Sequence, residues 1–364
     1  MINLNNIFNA FQTKGELVSY KSFGSGHINN TYVSIRDDNG QELKYTHQRI
    51  NKNVFKNPTE VMENIYNATN HLNNEIIKEG LADISRRRLE VILTNDNNLT
   101  YIDEEGNYWR TYSFIDNVCT YEILDNEDLA FKVGAAVGKF QKYLSTYKGE
   151  RFHDTIPNFH NMNYRYDQFD TALEKDLVGR SKLVQKEIEF FLKNRKRVSV
   201  LTESLIAGTI NEVITHNDTK LNNILFDEKS GEAICIIDLD TIMMGSFLFD
   251  TGDLIRTSTN TANEDERDLS KVNFNFEMFK PLIKGYYSVA KDVLNDKEKS
   301  LIAESGRVFA SIMGLRFLTD YINGDTYYKI AYEDHNLVRA RNQIKLMESM
   351  DSIWNEVQDF VNNL

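Results

Sequence analysis

Apolar and polar positions alternate through three stretches of residues 17–49, and the turn-rich DDNG at 37–40 separates the last two, a pattern that predicts antiparallel strands. A helix follows, with Asn57 suited to the N-cap, Pro58 to the first helical position, Glu60 to the capping-box position and Gly80 just beyond the last turn. Val61, Ile65, Ala68, Leu72 and Ile76 fall on one face of it, as expected of an amphipathic helix docked on a sheet. Apolar stretches at 89–93 and 99–115 surround turn signals at 95–98 and 104–107, so the expected sheet has about five strands.

After Ile115 the period lengthens. Residues 125–147 place Leu129, Val133, Val137, Phe140 and Leu144 on one helical face behind an Asp N-cap at Asp125. A strand-rich island at 210–242 interrupts the helices, and residues 277–364 return to helical periodicity with a break near Asn323 and Gly324. The expected class is therefore α+β in two lobes: residues 1–108 as a small antiparallel-sheet lobe and 117–364 as a larger, mostly helical lobe. Residues 109–116 connect them. At 364 residues the chain exceeds the roughly 250 to 300 at which one core stops growing, which agrees with two lobes.

Charge narrows the function classes. A net charge of −12 opposes binding to nucleic-acid backbone, whose affinity comes from Lys and Arg. Residues 1–15 lack a basic flank followed by an apolar stretch, and no run approaches the ~18 apolar residues of a membrane span, so a cytoplasmic protein without membrane contact is expected. Cys119 and Cys235 lie far apart without a CxxC, and neither a disulfide nor a thiolate metal site is expected.

The strongest chemical signal runs VITHNDTKLNNILFDEKSGEAICIIDLD over residues 213–240. Phosphoryl transfer needs a carboxylate to orient the attacking hydroxyl and take its proton, together with hard oxygen ligands for the Mg²⁺ that neutralises the phosphates. Asp218 suits the first task, and Asn223 with Asp238 suits the second. At an ordinary pKa of about 3.9 an aspartate is a weak base, so Asp218 is expected to orient the nucleophile and accept its proton late. Taken singly, Asp218 and Asn223 also read as turn formers and Asp238 as the end of a buried strand. Asp240, two residues further, either aids the metal or caps the turn.

This HxDxxxxN followed by IID resembles the aminoglycoside-phosphotransferase and choline-kinase-like superfamily, whose fold is that of the protein kinases. More narrowly, the chain is similar to bacterial N-acetylhexosamine 1-kinases in GSGHINNTY (24–32), QRIN (48–51), THNDTKLNNIL (215–225), IIDLDTIM (236–243) and GSFLFDTGDLIR (245–256). The similarity continues in LRFLTDYINGDTYY (315–328) and EDHNLVRARNQIKL (333–346), so it covers nearly the whole chain.

The resemblance implies ATP and Mg²⁺ as cofactors and a sugar as the other small-molecule partner; no protein-docking tail is evident. It makes Gly24, Ser25 and Gly26 the loop over the phosphates, a place where glycine lets backbone N–H groups approach an anion. GSG alone equally describes a hairpin turn. Arg49 stands where kinases usually carry a phosphate-pairing Lys, with Glu63 or Glu60 as its partner, and a solvated strand-face charge is the other reading. Residues 109–115 become the hinge that meets adenine, with Tyr112, Phe114 and Ile115 at the nucleotide, although Trp109 and Tyr112 equally read as packing residues. His27, Arg316 and Tyr327 join Asp218 at the sugar. Their bland readings are an exposed loop histidine, an internal Arg316–Asp320 ion pair at i+4, and core packing. His216 is expected to brace the Asp218 loop, and His160 in a further similar segment carries no assigned role. The implied reaction is ATP-dependent phosphorylation of the anomeric hydroxyl. Another small hydroxyl compound (an amino alcohol, another sugar or an aminoglycoside) is the alternative acceptor, and a non-catalytic ATP-binding module is the alternative class.

Overall fold

The computed structural model describes residues 3–24, 29–81 and 83–364. They form two compact units, the first comprising Met1–Thr120, Thr146–Pro157 and Asn223–Met244, the second Tyr121–Ser145, Asn158–Asn222 and Gly245–Leu364. The chain thus passes between the units several times.

The first unit opens with helix α1 (Leu4–Asn9) and strands β1 (Glu16–Ser22), β2 (Asn30–Asp38) and β3 (Gln41–Arg49). Helix α2 (Pro58–Lys78) precedes β4 (Val91–Ile92), β5 (Tyr101–Ile102), β6 (Tyr108–Ser113) and β7 (Val118–Cys119). Among the described residues β1 to β6 form an antiparallel six-stranded sheet in the order β1-β2-β3-β6-β4, with β5 also on β6, one strand more than expected. The β2–β3 hairpin keeps unbroken register from Asn30↔Arg49 to Asp38↔Gln41. Asn39 and Gly40 turn it at φ +55° and +87°, the positive values that a two-residue hairpin loop requires.

Helix α2 has Pro58 in its first turn and buries Val61, Met62, Ile65, Ala68, Leu72 and Ile76 as the periodicity requires. Asn57 makes no side-chain cap, so the expected capping box is not formed. Helix α1 was not anticipated. It buries Ile7 and Phe8 with Phe11 and Trp109, and Arg36 closes its end by donating to the Phe8 carbonyl at 2.9 Å and to Asn9 Oδ1 at 2.7 Å. Trp109 is therefore a packing residue, its Nε1 donating to Asp103 at 2.8 Å. Beneath Phe8, at a ring separation of 4.1 Å, lies the buried His47, held between Ser34 Oγ (2.7 Å) and Thr111 Oγ1 (2.8 Å).

Residues 109–113 lie in β6, an inner strand paired on one side with β3 and on the other with β4. The returning hairpin β9 (Ile224–Asp227) and β10 (Ala233–Ile236) forms a three-stranded sheet with β7, packing Ile115, Leu225, Ile234 and Cys235 together. That pairing draws residues 223–244 into the first unit.

The second unit contains α3 (Glu127–Leu144), α4 (Met162–Lys175), α5 (Gln185–Val198), α6 (Val200–Ile206), the short β8 (Val213–Thr215) and α7 (Phe247–Ser258). It closes with α8 (Phe276–Ala290), α9 (Asp296–Ile322), α10 (His335–Ser352) and α11 (Trp354–Asn362). The cap of α3 is Asn126, whose side chain accepts from the Leu129 N–H, not Asp125. Helices α3 and α8 meet through glycine: a Cβ on Gly134 would stand 1.9 Å from the Leu282 carbonyl oxygen, and one on Gly285 2.0 Å from that of Phe131. Helix α9 is buried on nearly every face and ends before Gly324 at φ +89°, the expected break. Among the described residues no helix is long and apolar enough to cross a membrane.

Candidate active site

In the second unit, the loop after β8 carries Asp218. Asn217 turns it at φ +65°, a left-handed conformation that Asn tolerates better than most residues. The turn is held from below by Asp250 on α7, a fully buried carboxylate that accepts the His216 N–H at 3.1 Å and the Asn217 N–H at 2.7 Å. Gln141 Nε2 donates to Asp250 at 3.2 Å, and Tyr286 orients that amide from 2.6 Å. Thr219 Oγ1 donates to the Asp250 carbonyl at 2.6 Å. Burial is the main reason the Asp250 carboxyl sits above its ordinary range, with His216 and the two N–H donors pulling the other way. His216 Nδ1 accepts from the Asp218 N–H at 3.2 Å, so His216 does brace the loop.

Asp218 itself is about a quarter exposed, and Lys220 Nζ stands 2.9 Å from its Oδ1. Burial opposes ionisation, but the charge and hydrogen bond of Lys220 outweigh it and hold the carboxyl below its ordinary value. The result is an anion that can accept a hydrogen bond from a hydroxyl and is a poor base until that oxygen becomes acidic. Asp253 and Arg256 form a buried pair at 2.8 Å beneath it, and Arg256 also reaches Glu264 at 2.9 Å.

The same unit holds Arg316. Its expected alternative partner, Asp320, is committed elsewhere: it accepts the N–H groups of Thr326 (2.9 Å), Tyr327 (2.8 Å) and Tyr328 (2.9 Å) and the Asn336 side chain. The i+4 ion pair is not formed. The Arg316 guanidinium lies instead among the rings of Phe159 (5.2 Å), Tyr328 (5.5 Å) and Tyr327 (5.9 Å), and among the described residues it has no carboxylate partner. Tyr327 is mostly exposed rather than core, while the buried Tyr328 hydroxyl has no partner among the described residues. Arg165 donates twice to the Phe159 carbonyl, and burial first, then the Arg316 charge, lowers it to about 10. His160 Nε2 donates to the Asn217 carbonyl at 3.0 Å, and burial pushes the ring down to about 3, so it is neutral with an unused acceptor at Nδ1. His27, with Ser25 and Gly26, lies outside the described residues.

In the first unit, Asn223 and Asp238 end adjacent strands. Ile224 pairs with Ile236, and the Ile237 N–H donates to the Asn223 carbonyl at 2.9 Å, so the two side chains of interest leave the same end of the β9–β10 hairpin. Asp238 is exposed and held at φ +62°, ψ +54°. One carboxylate and one amide oxygen suit a hard divalent cation that keeps its remaining positions for water and phosphate oxygens. Among the described residues no group of three or more acidic, His or Cys side chains could hold a metal by itself. Asp240 is buried against Arg110 Nη1 at 2.5 Å and accepts from Asn29 Nδ2 at 2.6 Å.

The nucleotide-side expectations fare unevenly. Gly24 has φ +78°, which only glycine adopts readily. Arg49 donates to Asn30 at 2.9 Å, and Glu63 meets His153 at 2.9 Å, so among the described residues Arg49 pairs with neither Glu63 nor Glu60. Arg110, on the neighbouring strand β6, is buried in this sheet, as is Arg36 on β2. Tyr112 is buried over Met62, Ile115 lies in the β7–β9–β10 core, and Phe114 packs its edge on Phe23 at 5.5 Å. Sequence reasoning missed Asp250, Arg110 and the place of His160. An Arg amid the aromatic strand WRTYS and an Asp inside the apolar FLFDTGD were the available signals.

Residues 99–274, just under half of the chain, match the family model described as the phosphotransferase enzyme family, APH. Among solved structures, an aminoglycoside phosphotransferase from Alicyclobacillus acidocaldarius superposes with a TM-score of 0.65 at 11% identity, covering 100% of this chain and 97% of that one. A choline kinase from Cryptosporidium parvum gives 0.59 at 12% identity, with 95% and 93% covered. The amicoumacin kinase hAmiN, in complex with AMP-PNP, Ca²⁺ and Ami, gives 0.55 at 13% identity, with 95% and 90% covered. At these identities the likeness establishes the fold, which is the kinase-like α+β fold with an antiparallel sheet in its N-terminal part and helices in its C-terminal part.

Proposed function

We propose that this chain is a cytoplasmic, ATP- and Mg²⁺-dependent phosphotransferase acting on the anomeric hydroxyl of an N-acetylhexosamine to give the α-1-phosphate. The observation that carries the reading is Asp218, an anion braced by His216 and, through the backbone, by Asp250, in a loop that lies within the matched family segment. The acceptor oxygen attacks the γ-phosphorus of ATP, the bond from that phosphorus to the β,γ-bridging oxygen breaks, and ADP leaves. The hydroxyl proton passes to the Asp218 carboxylate. An anomeric hydroxyl is more acidic than an ordinary alcohol and so suits a base held ionised by Lys220. Asn223 and Asp238 would hold the divalent cation, which supplies neutralisation of the β- and γ-phosphate charge. Gly24 to Gly26, with Arg49, are assigned to the nucleotide side.

The surroundings of Arg316 support this acceptor class. Choline and similar cations need carboxylates or open aromatic faces. Here the rings of Phe159, Tyr327 and Tyr328 already face a guanidinium, and Arg165 adds a second cation beside it. A neutral acceptor with hydroxyls and an amide carbonyl fits those donors, with His27, Arg316 and Tyr327 as its contacts. The test is incubation with ATP, Mg²⁺ and a panel of free N-acetylhexosamines, amino alcohols and aminoglycosides, following ADP and the reducing end. ADP release with loss of reducing end only for the N-acetylhexosamines is expected. ADP release with the amino alcohols alone would overturn the acceptor assignment.

A further inference from the structure

We propose that Arg110 and Asp240 form a positioning clamp that sets the orientation of Asp238 for its divalent cation, and that Asn29 ties this clamp to the start of β2. The inference rests on the cation-binding role proposed above for Asp238. Arg110 Nη1 stands 2.5 Å from Asp240 Oδ1 as an ion pair, Asn29 Nδ2 donates to Oδ2 at 2.6 Å, and the carboxylate is 5% exposed, with Oδ1 accepting no hydrogen bond among the described residues. Its charge is therefore already paired inside the protein. Arg110 is fixed in turn: Nε donates to Gln48 Oε1 at 2.9 Å, Gln48 donates to Thr31 Oγ1 at 3.0 Å, and the guanidinium lies 5.2 Å from the Tyr112 ring centre. Asn29 has its own anchor, its Oδ1 accepting the Asn51 N–H at 3.0 Å.

Between the two ends of this network the chain is held where it would not rest by itself. Asp238 occupies a left-handed conformation, which persists for a non-glycine residue where its surroundings over-determine it. Upstream, the Ile237 N–H is bound to the Asn223 carbonyl; downstream, Leu239 is buried and Asn64 Nδ2 on α2 donates to the Ile242 carbonyl at 2.9 Å. A buried ion pair adds little stability over a well-packed apolar pair, so orientation is the better account of Arg110 and Asp240. Neutralised by Arg110, Asp240 also offers the cation no competing carboxylate two residues from Asp238.

The experiment measures binding of Mn²⁺ with AMP-PNP to the full chain by calorimetry, independently of turnover. Asp240→Asn and Arg110→Met are expected to weaken binding tenfold or more. The double variant Arg110→Met/Asp240→Leu, which removes both charges and keeps the volume, is expected to unfold at wild-type urea concentration or above and still bind tenfold more weakly. A folded double variant that binds within twofold of wild type overturns the clamp, as does Arg110→Met binding more tightly, which would make Asp240 a ligand. Wild-type protein that fails to bind Mn²⁺ with AMP-PNP sinks the functional reading and the clamp together, whereas unaffected variants against a binding wild type sink the clamp alone.

Discussion

Replacing Asp250 by Asn tests how the Asp218 loop is held. In the native chain the two carboxylate oxygens accept separate backbone donors, from His216 at 3.1 Å and Asn217 at 2.7 Å, at a site with no solvent access. An amide offers one oxygen and turns its NH₂ toward the other donor, leaving one buried N–H unpaired at a cost of about 1–3 kcal/mol. Part of that is offset because the amide escapes the burial penalty that already raises the Asp250 carboxyl. A net loss of about 1–2 kcal/mol follows, equivalent to a roughly 5- to 30-fold larger locally open population. Hydrogen exchange of the His216 and Asn217 amides reads this directly. Exchange within twofold of wild type, with an unchanged urea midpoint, would refute the argument. Because the opened loop carries Asp218, kcat is expected to fall with it.

Other consequences are simpler to state. His47 is buried and pushed to about 3, first by burial and then by Arg36, while an unfolded His titrates near 6.5, so the unfolded chain binds a proton that the folded chain does not between those values. Stability therefore falls as pH drops through that window, by about 2 kcal/mol from pH 7 to 5 for His47; a His47→Gln chain whose stability–pH slope matches wild type would contradict it. Gly134→Ala places a methyl 1.9 Å from the Leu282 carbonyl and should cost about 1–3 kcal/mol as α3 and α8 are forced apart, visible as a lower Tm. Arg316→Ala is expected to raise the acceptor KM roughly 10- to 100-fold, the loss of charge-assisted hydrogen bonds, with the ATP KM unchanged; the opposite pattern would move Arg316 to the nucleotide.

What the chain's own pattern revealed was local. The β2–β3 hairpin follows from DDNG, α2 from its apolar stripe and Pro58, and the end of α9 from Asn323 and Gly324, because neighbours in sequence decide each. The THND and IIDLD segments were legible for the same reason, as each concentrates its chemistry in a few residues. Arg110 and Asp240 stand 130 positions apart and meet only once β6 and the β9–β10 hairpin have folded, so no spacing rule links them. Asp250 braces residues more than thirty positions earlier. The resemblance set Arg49 where kinases carry a phosphate-pairing Lys, whereas Arg110, one strand over, drew no notice because its partner Asp240 lies far along the chain. Asp320 read as a helix partner for Arg316 because i+4 spacing permits it; three loop N–H groups compete for that carboxylate and win it.

Single-turnover transfer from ATP to an N-acetylhexosamine, measured for wild type and Asp218→Asn at saturating Mg²⁺, tests the central claim most directly. The isosteric amide keeps the loop but cannot take the proton, so the transfer rate should drop by about 10²-fold or more while the Kd for ATP stays the same. Equal transfer rates in the two proteins would contradict the assignment of Asp218 and with it the mechanism proposed for the chain.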